Sequence, residues 1–189
     1  MTAVRLTHRV SLYVPGAEED WIVVPNDFQN ASDRKIAKWA ASAARSVLPK
    51  RLFGQDPQQF PIQASLAAAA AMTSRNERAY VLRATLPDQF LPVRLRWVRL
   101  GNSPRQTLLE LATPDLKQTT LGTPAEWLSP LGTSGLRTSI TRDHSEHGYI
   151  AAFPLDDIGV QVKVDVDGRA LRAIQGAVAD LLQRIRLAG

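Results

Sequence analysis

The clearest alternation of apolar and polar positions lies near the end of the chain. Valine occupies every second position from Val160 to Val166, and polar residues fill the positions between. This period of two is typical of a strand that buries one face and leaves the other in water. A second β-prone run, Tyr149 to Leu155, precedes it, and the turn-forming residues 156–159 join the two runs. The pattern predicts a β-hairpin.

An amphipathic helix is predicted to follow this hairpin. After the capping pair Asp167-Gly168, apolar residues recur at alternating spacings of three and four. They are Leu171, Ile174, Val178, Leu181 and Ile185. Arg184 and Arg186 then lie where the helix dipole favours cations. Because the strand face and the helix stripe are both apolar, we expect the helix to lie across the sheet.

Further strands are predicted upstream. Residues 91–97 alternate between an apolar side and a side that carries Arg94 and Arg96. Looser patterns predict strands over residues 5–14, 21–24, 79–86, 106–112 and 136–141. Short connections join most of these strands, and strands joined in this way are antiparallel.

The remaining segments are less regular. An apolar stripe predicts a helix that runs from about residue 33 and ends before Pro49, and residues 50–61 predict a loop. Residues 62–73 contain five consecutive alanines, which favour a helix, whereas the strands around this short run favour a strand. We predict a strand there, and one helical turn at residues 125–128.

Together these elements predict an α+β fold. We expect an antiparallel β-sheet of about six to eight strands with two main α-helices packed on it, in a single domain over residues 1–189.

Composition excludes several classes of protein. The chain has no cysteine, which excludes disulfides, thiolate metal sites and a cysteine nucleophile. Its apolar runs are shorter than the roughly 20 residues that a membrane-spanning helix needs. Its first residues lack the apolar core of a secretory signal. We therefore expect a cytoplasmic protein without a cofactor.

Positive charge is concentrated in the middle of the chain. The formal net charge is +5, and 13 of the 23 lysines and arginines lie between Arg34 and Arg105, against three of the 18 acidic residues. Six arginines lie on or beside three predicted neighbouring strands: Arg75, Arg78, Arg83, Arg94, Arg96 and Arg99. On one exposed face they would form a stripe that engages nucleic acid, another polyanion or an acidic protein. A solvated strand face, or a genome rich in Arg and Ala codons, explains the same residues.

One predicted loop concentrates titratable residues. Asp143-His144-Ser145-Glu146-His147 contains two of the three histidines. Imidazole and carboxylate groups suit zinc, nickel or copper, so Asp143, His144 and His147 are candidate metal ligands or acid–base residues. His8, the third histidine, lies on a distant predicted strand, and a solvated hairpin loop is the alternative interpretation.

The rest of the sequence contains no known catalytic motif. The chain has neither of the glycine-rich phosphate-binding motifs. Gly132-Thr133-Ser134-Gly135 lacks the spacing of a nucleophilic serine turn and predicts an ordinary turn.

The four tryptophans differ in their sequence context. Trp21, Trp39 and Trp97 fall on predicted apolar faces, whereas Trp127 lies outside any regular pattern. Trp127 is therefore the best candidate for contact with a protein partner.

The order of elements carries a family resemblance. Val10-Ser11-Leu12-Tyr13-Val14-Pro15-Gly16 is followed by Trp21, then by a helix, hairpins, and a closing strand and long helix. In this order the chain resembles the Mog1/PsbP-like group, which includes actinobacterial LpqN-type proteins. The resemblance covers most of the chain as topology. It implies a non-enzymatic binding role, because members of the group mostly bind other proteins. This sequence lacks the lipoprotein signal and cysteine of the secreted relatives, and the resemblance assigns no functional residue.

Three functions follow from these observations, in order of preference. The first is a non-catalytic protein-binding or assembly-accessory module, whose partner is another protein or a second copy of this chain. The second is binding of nucleic acid or another polyanion through the six arginines. The third is an enzyme with its site near residues 143–147.

Overall fold

The computed structural model describes residues 11–25, 28, 31–48, 59–74, 76–86, 89–113, 120–142, 145–166 and 168–188. The strands in these ranges are β1 (Ser11–Tyr13), β2 (Trp21–Val24), β3 (Glu77–Leu82), β4 (Pro92–Arg99), β5 (Thr120–Leu121), β6 (Ala125–Leu128), β7 (Ser134–Arg142), β8 (Ser145–Leu155), β9 (Ile158–Asp165) and β10 (Arg186–Ala188). The helices are α1 (Ala17–Asp20), α2 (Asp33–Val47), α3 (Gln59–Ala71), α4 (Pro104–Ala112) and α5 (Gly168–Gln183). A 3₁₀ turn covers Arg83–Thr85.

Eight of these strands form one antiparallel sheet in the order β2-β3-β4-β9-β8-β7-β5, and β6 also pairs with β7 along the outer edge. β1 and β10 form a separate antiparallel pair that brings the two ends of the described chain together, with Ser11 opposite Ala188. The predicted α+β fold with an antiparallel sheet is confirmed. Among the described residues, no helix is long and apolar enough to cross a membrane.

The predicted hairpin and the helix after it organise one face of the sheet, which we call the α5 face. β8 and β9 pair antiparallel around a two-residue turn at Asp156 and Asp157. Side chains on the α5 face include Val162 and Leu95, which lie opposite each other on β9 and β4 and are fully buried. α5 covers them with its own buried stripe, which contains Ile174 and Val178. The apolar face of the strands and the apolar stripe of α5 thus pack together in one core.

The second face of the sheet is covered in two separate places. α2 and α3 pack on β2 and β3, over residues such as Val24 and Val81. α4 packs on the other half, over Ala152, and accepts a hydrogen bond at the Leu111 carbonyl from the Gln161 side chain. Gln161, predicted to face water, is therefore buried, because a helix that the sequence did not reveal lies over it.

The prediction of a strand over residues 62–73 is wrong. Residues 59–71 form α3. The helix begins inside the segment 50–61 that was predicted as a loop, and residues 50–58 of that segment lie outside the described residues. The alanines act as helix formers, and Ala69 and Ala70 are buried in the core shared with Ala40 of α2. The small side chains on both helices let α2 and α3 pack closely against each other.

Two further predictions are wrong. Residues 104–112 form α4 rather than a strand, with Pro104 at the first turn, where a missing N–H costs no hydrogen bond. Residues 125–128 form β6 rather than a helical turn, because they pair with Arg137–Ser134 of β7. In place of two main helices, the described residues contain four of nine residues or more.

A bulge near the start of β8 changes which way its first side chains point. Ile140 lies opposite Gly148, but the next residue, Thr141, lies opposite Glu146, so His147 is the extra residue on β8. Gly148 has a φ of 147°, and a Cβ there would strike the Val164 carbonyl. The bulge brings Glu146 to the same face as Arg137, next to the start of α5.

Candidate functional site

A groove runs between α5 and the outer strands of the sheet. It has a volume of about 370 Å³ and lies on the α5 face, where the helix stops short of β6 and β7. We call it the Trp127 groove, and its lining residues are Trp127, Leu128, Pro130, Arg137, Tyr149, Gln175, Ala179, Leu182 and Gln183. Apolar groups from β6 and α5 form its walls, and Arg137 and Tyr149 lie on the strands between them.

Trp127 is positioned by a glycine on the neighbouring strand. It lies opposite Gly135 in the pair of β6 and β7, and its ring centroid is 6.0 Å from that of Phe153 on β8. A Cβ on Gly135 would lie 2.9 Å from the Phe153 Cβ and would also strike the Ala152 carbonyl. The indole is therefore only half-buried, with its inner side against the core and its outer side in the groove.

Leu128, next to Trp127, is 69% exposed at the end of β6. The turn that follows holds it in place: the Ser129 N–H donates to the Thr133 carbonyl at 2.9 Å, and the two hydroxyls lie 2.7 Å apart. Of the segment predicted as a turn, Gly132 and Thr133 lie in this connection, whereas Ser134 and Gly135 begin β7. These hydrogen bonds give the exposed Leu128 side chain a defined position at the end of the hairpin.

The groove floor is a stacked and ion-paired set of side chains. The Arg137 guanidinium carbon lies 4.3 Å from the centroid of the Tyr149 ring. Arg137 Nη2 also donates to Glu146 Oε1 at 3.1 Å, and Ser139 Oγ donates to the same oxygen at 3.0 Å. Burial raises the pKa of Tyr149, Arg137 opposes the rise, and Glu146 adds to it. The Tyr149 hydroxyl therefore stays protonated at neutral pH.

A second cavity adjoins the groove at the start of α5. It has a volume of about 680 Å³ and is lined by Ser145, Glu146, His147, Gly168, Arg169, Leu171, Arg172 and Gln175. We call it the Arg172 cavity. Gln175 lines both the cavity and the Trp127 groove, so the two are continuous along one side of α5.

Of the candidate metal ligands, only His147 lies within the described residues. Asp143, His144 and His8 lie outside them. In the described ranges no three histidine, aspartate or glutamate side chains lie close enough to hold a metal ion. A metal site that includes Asp143 and His144 remains a prediction.

His147 contacts a serine, but the hydrogen bonds do not activate that serine. His147 Nε2 lies 3.0 Å from Ser145 Oγ, and Ser145 Oγ donates to the Arg142 carbonyl at 3.0 Å. Since a hydroxyl has one proton, His147 donates to Ser145 in this arrangement instead of accepting its proton. The pair lacks the orientation of a nucleophile and its general base.

The five candidate arginines within the described residues do not form one stripe. Arg94 and Arg96 share the second face, beside Lys163, which lies opposite Arg94. Arg94 is 3.8 Å from Glu77, whereas Arg96 is exposed. Arg78 lies on the α5 face opposite Leu95, close to Tyr80.

The other members of the set lie elsewhere. Arg83 follows β3 and donates to the Trp21 carbonyl and to the Ser46 hydroxyl. Arg99 lies opposite Ile158 at the end of β4, on the α5 face. Arg75 lies outside the described residues.

The sequence singled out Trp127 as a candidate contact residue but gave no sign of the residues that line the groove with it. Arg137, Tyr149 and Gln175 come from three different elements and carry no local motif. Only the pairing of β6, β7 and β8 and the position of α5 bring them together. The one sequence signal is the alternation on β7 and β8, which places Arg137 and Tyr149 on the same face once the register is known.

Comparison with known proteins found no matching family model, no matching curated protein and no matching solved structure.

Proposed function

We propose that this protein is a non-catalytic binding module that holds an extended segment of a partner protein in the Trp127 groove. The observation that carries the proposal is Leu128, which is 69% exposed beside the half-buried Trp127 at the mouth of an apolar-walled groove. Leu128, Trp127 and the apolar groove wall are contiguous, and a contiguous exposed apolar patch is typical of a contact surface. The resemblance to the Mog1/PsbP-like group, whose members mostly bind other proteins, points the same way.

The shape and chemistry of the groove suit a peptide. Its volume of about 370 Å³ lies at the lower end of the range for ligand pockets, so it accommodates a few side chains. Gln175, Gln183 and Arg137 line it and supply donors and acceptors for the backbone of an extended chain. Tryptophan, tyrosine and arginine are also the residues that contribute most to protein interfaces.

The same residues argue against catalysis in the groove. The charged groups beside the floor, Arg137 and Glu146, are paired with each other at 3.1 Å. Tyr149 lies under the Arg137 guanidinium and keeps its proton at neutral pH. Such a set holds a ligand but has no free acid or base aimed at a reacting atom.

Selection from a library of random 12-residue peptides tests the proposal. Enriched peptides are synthesised with a fluorescent label, and their affinity is measured by anisotropy for the wild type, Leu128→Ser and Phe60→Ser. Phe60 on α3 is 77% exposed and far along the chain from the groove, so it controls for a general loss of surface apolarity. We expect Leu128→Ser to weaken binding about tenfold, by analogy with exposed interface anchors, and Phe60→Ser to leave it unchanged.

Two outcomes contradict the proposal. One is a selection that enriches no peptide above the background of the bare support. The other is a set of enriched peptides that bind Leu128→Ser as tightly as the wild type.

A further inference from the structure

We infer that the partner segment carries an anionic side chain, a carboxylate or a phosphate, that enters the Arg172 cavity while an apolar residue of the same segment occupies the Trp127 groove. This inference rests on the proposed function and adds the chemistry of the partner to it. It follows from the continuity of the two spaces, from the charges that line the cavity and from the distance between them.

The two spaces form one path along α5. Gln175 lines both of them, on the side of the helix that faces the outer strands. The ion pair between Arg137 and Glu146 joins them across the sheet, since Arg137 lines the groove and Glu146 lines the cavity. A chain that lies in the groove and continues toward the start of α5 therefore enters the cavity.

Among the described residues that line the cavity, positive charges outnumber negative ones. Arg169 and Arg172 line it from α5, and Glu146 is the carboxylate among its lining residues. Glu146 accepts hydrogen bonds from Arg137 and Ser139, so the Arg137 guanidinium already offsets its charge. Arg172 is exposed, and no ion pair or hydrogen bond joins it to another described residue. Its guanidinium is available to bind a carboxylate or a phosphate through two parallel hydrogen bonds.

The position of the cavity favours an anion over a neutral polar side chain. The cavity lies at the amino end of α5, a helix of 16 residues whose dipole favours negative charge there. Its volume of about 680 Å³ leaves room for a phosphate group as well as for a carboxylate.

The length of the path predicts the spacing of the two residues in the partner. Arg172 and Leu182 mark the two ends and are ten positions apart, which is about 15 Å along a helix. An extended chain advances about 3.3 Å per residue. The apolar residue and the anionic residue are therefore expected about four or five positions apart.

The test uses peptides recovered by the selection described above. A peptide that depends on Leu128 is synthesised with glutamate, glutamine or phosphoserine at the predicted anionic position, four or five residues from its apolar residue. Affinities are measured for the wild type, Arg172→Gln and the matched control Arg45→Gln, which changes an exposed arginine on α2. We expect the glutamate peptide to bind the wild type about threefold to tenfold more tightly than the glutamine peptide at low salt.

That preference should disappear in Arg172→Gln and persist in Arg45→Gln. Tighter binding of the phosphoserine peptide than of the glutamate peptide identifies phosphate as the source of the anion, and the reverse order identifies carboxylate. Equal binding of the glutamate and glutamine peptides, with the dependence on Leu128 retained, overturns this inference and leaves the proposed function intact. A selection that yields no peptide whose binding depends on Leu128 overturns both.

Discussion

Trp127 lies directly opposite Gly135 in the antiparallel pair of β6 and β7, and the absence of a side chain on Gly135 lets the indole reach Phe153 on β8. One edge residue is thereby tied to the core and at the same time forms a wall of the groove. A substitution at Gly135 should consequently affect both the stability of the protein and the shape of the groove.

Gly135→Ala should destabilise the protein by about 1–3 kcal/mol, because the new Cβ would lie 2.9 Å from the Phe153 Cβ and would also meet the Ala152 carbonyl. Neither neighbour yields easily, since one is backbone and the other is the first carbon of a fully buried side chain. The free energy of unfolding in urea measures the effect. An unchanged midpoint and slope would contradict the close approach of Gly135 to Ala152 and Phe153 of β8.

Gly176→Ala is the matched control, with the opposite sign. Gly176 lies within α5, and a Cβ there would meet nothing within 4 Å. Alanine should stabilise the helix by about 0.5–1 kcal/mol, because glycine loses more backbone entropy on folding. The same urea titration reports the gain, and a loss of stability would contradict the placement of this position on the exposed side of α5.

Ala68→Pro tests the correction of residues 62–73 from strand to helix. Ala68 is exposed in the interior of α3, so the substitution changes no buried contact. Proline in a helix interior removes one hydrogen bond and clashes with the preceding turn, and we expect a loss of about 3 kcal/mol or more. Far-ultraviolet circular dichroism and urea unfolding measure it. Ala68→Ser, which keeps the N–H, should cost well under about 1 kcal/mol.

Stability should fall at high pH, in part through Tyr149. Burial is the largest cause that raises the pKa of Tyr149 above its ordinary value of 10.0, with Glu146 adding to the rise and Arg137 opposing it. The folded state therefore holds the phenol proton more tightly than the unfolded chain. The contribution to stability is complete below pH 10.0 and is lost as the pH rises through the raised value.

Urea unfolding of the wild type and of Tyr149→Phe between about pH 9 and 11 tests this sign. The variant should lose less stability over that interval, because it has no phenol to ionise at the groove floor. Tyr80→Phe is a useful comparison, since burial also raises the pKa of Tyr80 while Arg78 opposes the rise. Identical slopes for the wild type and both variants would contradict the burial of these two hydroxyls.

The double variant Arg94→Glu with Arg96→Glu separates the proposed function from polyanion binding. Both residues lie on the second face of the sheet, away from the Trp127 groove. We expect selected peptides to bind the double variant as tightly as they bind the wild type. A preparation that carries nucleic acid at low salt, and loses it in the double variant, would favour the polyanion hypothesis instead.

The sequence allowed prediction of the elements whose periodicity is long and amphipathic. β8, β9 and α5 follow from strict alternation and from a stripe at spacings of three and four, because each has one side in the core. α3 was missed because it is apolar on every side and lacks charged residues, so no periodicity distinguishes it from a strand. α4 was missed because its nine residues are too few to distinguish a period of two from a period of 3.6 in the sequence.

The candidate site could be predicted only in part. Trp127 was identified because it lies outside any periodic pattern, whereas Arg137, Tyr149 and Arg172 look like ordinary surface and strand residues in the sequence. Their relationship depends on strand register, on the bulge at His147 and on how far α5 extends across the sheet. These are long-range properties that no local pattern encodes.

The most direct test of the account is a map of where a selected peptide binds. Amide and indole chemical shifts of the isotopically labelled protein are recorded by nuclear magnetic resonance with and without the peptide. We predict that the largest changes occur at the Trp127 indole N–H and at the amides of Leu128, Gln175 and Ala179. Changes confined to Arg94, Arg96 and Lys163, or to the exposed side of α3, would contradict it.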